Sequence, residues 1–168
     1  MSAAIAELIQ AGLVEPIGAV QGGMGRRAVE YRVATHAGHV IAVDAGSTHI
    51  RLRLSTLDRR LLHSSLHPLP QSQYALTPQI SAVVAAAVAE ALARTEADWG
   101  PLQAMVIAVP TRVVGPEGDT AATDQEVIYS NFTPPPQLDC TLANNVNCAA
   151  VAEYHYGAAQ GRQTFAFL

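Results

Sequence analysis

Apolar positions recur at helical spacing from Ser2 to Leu13 (Ala4, Ile5, Leu8, Ile9, Leu13), with Ser2 placed to cap and Gly12 where helices end. Val14 to Val20 and Ala28 to Val33 then read as two strands around the glycine-rich loop Gly22-Gly23-Met24-Gly25-Arg26-Arg27. A meander of three strands follows: the nearly all-apolar Val40 to Val43, the alternating His49 to Ser55, and Leu61 to Leu66, with Asp58 in the second turn. The pattern continues as a helix (Gln79 to Arg94), a buried strand (Leu102 to Val109), and a helix (Asn144 to Tyr156) with Cys148, Val151 and Ala152 on its apolar face. Gly115 to Thr123 and Pro134 to Pro136 read as loops, and Thr164 to Leu168 as the beginning of a strand.

Three strands, a helix and a returning strand predict an α/β layer domain over residues 36–168, preceded by a helix-and-hairpin unit over residues 1–35. The first helix lacks a partner before it and the last strand one after it, so the sequence reads as part of something larger. At 168 residues and 49% hydrophobic the chain can bury a core. The apolar run Ile80 to Ala93 is interrupted by Ser81 and Glu90 and falls short of the ~20 residues of a membrane span. With two cysteines, Cys140 and Cys148, no disulfide framework is expected, and a reduced, cytoplasmic setting fits.

The net charge is −4. In residues 1–40, Arg26, Arg27 and Arg32 balance Glu7, Glu15 and Glu30, so the excess lies wholly in the rest of the chain. Nucleic-acid contact, if present, is confined to the Arg26–Arg27 loop, where two arginines on a flexible tip could clamp phosphates or enter a minor groove. A solvated hairpin tip accounts for this loop equally well.

Asp44-Ala45-Gly46-Ser47-Thr48-His49 carries a carboxylate from a buried strand into a turn of small residues. Gly46 permits close backbone approach, Ser47 and Thr48 supply hydroxyls, and Asp44 could hold a hydrated magnesium ion, so the turn could grip phosphate. Because a strand follows it, the turn is neither a Walker loop nor a dinucleotide fingerprint, and an ordinary β-turn explains the same residues. Asn144, Asn145 and Asn147 open the last helix, with Asn131 in the preceding loop. One of them serves as a cap; three exceed what capping needs, and amides suit sugar hydroxyls. The six histidines are scattered, so no metal site is expected; His49, His63 and His67 read as facing solvent or the sheet edge. No serine sits in a G-x-S-x-G context and Cys140 has no evident histidine partner, which leaves nucleophilic catalysis unsupported.

In this order the segments resemble the ROK family of sugar kinases and xylose-repressor-like regulators, built on an actin-like (ribonuclease H-like) ATPase fold. AELIQAGLVEPIGAVQGGMGRRAVEYRV resembles the last helix and wing of the regulators' winged helix-turn-helix, and VIAVDAGSTHIRLRLSTLDRRLL the family's first phosphate hairpin. VIAVPTRVVGPEGD resembles the approach to the sugar site, Ser130-Asn131-Phe132 its short Asn-Leu segment, and ANNVNCAAVAEYHYGAA the helix bearing the kinase base.

The departures from the pattern favour a regulator. Family kinases read Asp-x-Gly-Gly-Thr-Lys at the hairpin; here Ser47 and His49 replace the second glycine and the lysine, so no ATP-magnesium cofactor is expected. The kinases' Glu-Asn-Asp-x-Asn appears as Ala143-Asn144-Asn145-Val146-Asn147, and an amide cannot serve as the base, a loss of ~10²- to 10⁴-fold in rate. The resemblance implies sugar contacts at Asn131, Asn144 and Asn145, DNA contacts at Gly25, Arg26 and Arg27, and a phosphate-turn relic at Asp44, Gly46, Ser47 and Thr48. It further implies a monosaccharide or sugar-phosphate effector, a DNA operator, homo-oligomer assembly, no membrane partner, and a family zinc site beyond Leu168. The competing expectations are a sugar kinase with altered motifs and a truncated chain without function of its own.

Overall fold

The computed structural model describes residues 2–20, 28–69, 76–110, 126–136 and 138–167. Helix α1 (Ala3–Gln10) starts where Ser2 accepts a hydrogen bond from the Ile5 N–H, as its sequence predicts. None of its residues is buried. Strands β1 (Val14–Val20) and β2 (Ala28–Val33) pair antiparallel as a separate sheet, with an irregularity between Pro16 and Gly18 where proline cannot donate to the ladder. Glu15 and Arg32, directly opposite in this pair, form an ion pair at 2.6 Å.

The main sheet has five strands in the order β5-β4-β3-β6-β7. Its members are β3 (His39–Ala45), β4 (His49–Thr56), β5 (Leu61–Pro68), β6 (Leu102–Val109) and β7 (Asp139–Asn144). The meander β3-β4-β5 is antiparallel, whereas β3, β6 and β7 run parallel. Helix α2 (Pro78–Ala93), capped by Thr77 with proline at its start, forms the crossover from β5 to β6.

Alternation in the strands decides which face is core. Ile50, Leu52 and Leu54 of β4 point inward with Ile41 and Val43 of β3 and Met105 and Ile107 of β6, all packed with Ile80, Val84 and Val88 of α2. Ile128 and Phe132 join this core. Ser81 is buried on α2, where its hydroxyl donates to the Ile128 carbonyl at 2.5 Å and accepts from the Asn131 N–H at 3.0 Å. The opposite face carries Asp44, Arg51 and Arg53 and meets helix α3 (Asn145–Tyr156) alongside β6 and β7.

Strand β7 occupies a segment to which the sequence pattern assigns no element: Asp139-Cys-Thr-Leu-Ala-Asn has little β-branched character, and its strand form comes from pairing with β6. Residues 164–167 form no strand; Phe165 instead stacks on Tyr154 of α3, ring centroids 6.2 Å apart. His63 lies on edge strand β5, but its Nε2 is buried and unpaired among the described residues.

Candidate functional site

Three parallel strands end side by side, because Asp44 of β3 pairs in register with Ala108 of β6, and Val109 of β6 with Asn144 of β7. Ligands of open α/β sheets bind beyond such carboxyl ends, where the chain leaves the sheet in different directions. Here a cleft of about 450 Å³ is lined by Asp44, Ala108, Asn145, Val146, Cys148, Ala149 and Phe167. The sheet supplies Asp44 and Ala108, and the first turns of α3 supply the helical residues.

Asp44 and Asn145, read separately from the sequence, therefore share one cleft. Asn144 does something else: its side chain accepts from the Asn147 N–H at 3.0 Å, as the N-cap of α3. Asn131 is tied to α2, its amide donating to the Pro78 carbonyl at 3.1 Å and the Ser130 hydroxyl at 3.2 Å, and it is absent from the cleft lining. Asn144→Ala should cost α3 about 1 kcal/mol through loss of the cap. Circular dichroism melts against Asn145→Ala, which removes no cap, will separate scaffold from ligand contact.

The glycine turn closes on itself. The Gly46 N–H donates to the His49 carbonyl at 3.1 Å, and a Cβ on Gly46 would meet that same oxygen at 3.0 Å. The Thr48 hydroxyl bonds the His49 ring at 2.9 Å, while the Thr48 carbonyl accepts from the Leu69 N–H at 2.9 Å. The Gly46 N–H, a donor that a phosphate would need, is therefore already engaged, and the Thr48 hydroxyl is held against the His49 ring. Gly25, Arg26 and Arg27 lie outside the described residues.

Cys148, expected from the sequence on the apolar face of α3, also lines the cleft. Burial first, and the Asp44 carboxylate second, push its thiol above the usual range, which places a neutral thiol beside the carboxylate. Arg51 and Arg53 share the exposed face of β4, as arginines two apart in an alternating strand must. Among the described residues no group of three or more His, Cys, Asp or Glu side chains could hold a metal ion. No described helix is long and apolar enough to cross a membrane.

A family model described as the ROK family matches residues 40–168. A search of curated proteins gives no match. Among solved structures, a ROK family transcriptional regulator, homolog of the E. coli MLC protein, is 17% identical with a TM-score of 0.57, over 90% of this chain and 39% of that one. A candidate sugar kinase from Cytophaga hutchinsonii is also 17% identical, with a TM-score of 0.50, over 76% of this chain and 43% of that one. The chain thus spans about two-fifths of the length of these structures. At this identity the likeness establishes the fold: the α/β layer is the first lobe of the actin-like ATPase fold.

Proposed function

We propose that this chain, which belongs to the ROK family, forms the first lobe of a sugar-responsive transcriptional regulator that binds sugar without phosphorylating it. The observation that carries this reading is that Asn145 lines the cleft beside Asp44; by the resemblance of Ala143-Asn144-Asn145-Val146-Asn147 to the kinases' motif, it stands in for their catalytic carboxylate. An amide can donate to and accept from a hydroxyl but cannot take its proton. Asp44 corresponds to the phosphate-hairpin carboxylate that family kinases carry in addition to their base. Its presence in the same cleft is the observation favouring the second reading, a kinase with rearranged machinery.

The extent of the fold match adds support. Residues 40–168 are 129 of 168, about 77% of the chain, so a 90% match to the regulator must reach into the segment before β3 that holds the β1–β2 hairpin. The 76% match to the candidate kinase does not require this. In our reading α1, β1 and β2 belong to a winged helix whose wing tip carries Gly25, Arg26 and Arg27. A sugar that binds two arrangements of the protein unequally then shifts operator affinity.

Two measurements on the protein carrying this chain test the proposal. A thermal-shift screen should find a monosaccharide or sugar phosphate that raises the melting temperature, because a ligand specific to the native state stabilises it. Arg26→Ala with Arg27→Ala should weaken DNA binding and reduce its salt slope by up to about two units. An unchanged slope would remove both arginines from the DNA interface.

A further inference from the structure

We infer that Arg51 and Arg53 form a phosphate-ester site, and that the ligand of the neighbouring cleft is a phosphorylated monosaccharide rather than a free sugar. This rests on the sugar-binding reading above and specifies its ligand.

Both arginines project from β4 onto the open face of the sheet, and both are exposed. Two residues apart on a strand, their Cα atoms are about 6.6 Å apart, a spacing from which two guanidinium groups can converge on one phosphate. In register, Arg51 lies opposite Asp44 and Arg53 opposite Ala42. Neither arginine forms an ion pair among the described residues. Arg51 reaches only the His49 ring, at 3.5 Å, and Arg53 has no hydrogen-bonding partner there. Asp44 can offset at most one of the two charges, so this face is locally cationic on a chain whose net charge is −4.

The surroundings are concave. Ala42, Val43, Asp44, Arg51 and Arg53 line a cavity of about 220 Å³, and Asp44 also lines the larger cleft that holds Asn145. Helix α3 starts at that cleft and ends where Tyr156 meets Arg59 of the β4–β5 turn, the guanidinium 5.0 Å from the ring centroid. The helix therefore crosses the open face from the cleft toward that turn, while the cavity beside the arginines is lined by β3 and β4 alone.

Charge orders the ligand within this space. The Asp44 carboxylate repels a phosphate but accepts from hydroxyls, so the sugar ring lies toward Asp44 and Asn145. The phosphate lies toward Arg53, one step further along the strand pair from Asp44. Charge-assisted, bidentate bonds of this kind discriminate an ester from its parent alcohol.

The test is calorimetric titration of the protein carrying this chain with matched pairs of hexoses or aminosugars and their 6-phosphates, with inorganic phosphate and with ATP. It is run on wild type and on Arg51→Ala/Arg53→Ala, exposed positions whose loss spares the core. We expect one 6-phosphate to bind at least about tenfold more tightly than its parent sugar. In the double variant that preference should collapse to about threefold or less, through loss of affinity for the ester. Equal binding of sugar and ester by wild type, or a preference that survives in the double variant, overturns the inference and leaves the sugar reading intact. Loss confined to ATP overturns the sugar-phosphate assignment in favour of a nucleotide. If no sugar or ester binds, but inorganic phosphate binds wild type and not the double variant, the sugar reading fails and the anion site stands. If phosphate does not bind either, both fail.

Discussion

The Gly100→Ala variant should lose about 3 kcal/mol or more of stability in urea denaturation, a larger effect than most single substitutions give. Gly100 has φ +70° and ψ −172°, a backbone region that side-chain-bearing residues cannot enter without strain. A Cβ there would also run into the His36 carbonyl, which is backbone and cannot rotate away. The position matters because it joins the α2 crossover to β6. The Gly100 carbonyl contacts Nδ1 of the buried His39 at 3.1 Å, so that nitrogen carries the proton. His39 in turn donates its backbone N–H to Pro101 at 3.0 Å and meets Trp99 edge-on. Forcing Gly100 open would unseat the start of both β3 and β6, the strands that deliver Asp44 and Ala108 to the cleft. A loss below about 1 kcal/mol would mean that the loop relaxes freely and does not fix their register.

The second large effect is expected at Ile107. This residue is fully buried in the central part of the sheet, in register with Val43 on one side and Leu142 on the other. Ile107→Ala removes buried methylenes and leaves a cavity in the core that the sheet shares with α2, at a cost of about 2–5 kcal/mol. Its neighbour Val106 points to the open face and is only partly buried, so Val106→Ala should cost clearly less. Equal losses at the two positions in the same denaturation experiment would contradict the assignment of α2 to the core face.

Much of this fold was legible in the sequence because local signals and burial agree. The alternation His49 to Ser55 marks the strand, and the helix expected over Gln79 to Arg94 is α2 to within one residue at each end. Strand β7 was not legible: its residues are poor strand formers on their own, and parallel pairing with β6 decides their conformation. The end of the chain erred the other way. Thr164 to Leu168 has the composition of a strand, yet a strand needs a ladder partner, and Phe165 finds an aromatic ring instead.

The site was half legible. Asn145 and Asp44 stood out by residue type and local context, but only the parallel register of β3, β6 and β7 brings them into one cleft. Asn144 and Asn131 carry the same chemistry and are engaged in capping and in a contact with α2, a difference that side-chain hydrogen bonds decide. Arg51 and Arg53 gave a clear alternation signal, but their value depends on what faces them across the sheet and on the path of α3.

The most direct test of recognition without turnover is a coupled assay for sugar-dependent ADP formation by the protein carrying this chain, with ATP and magnesium and the sugar that raises its melting temperature. No rate above the sugar-free background is expected, in wild type and in Asp44→Asn alike. Robust turnover that disappears in Asp44→Asn or Asn145→Ala would contradict recognition without turnover.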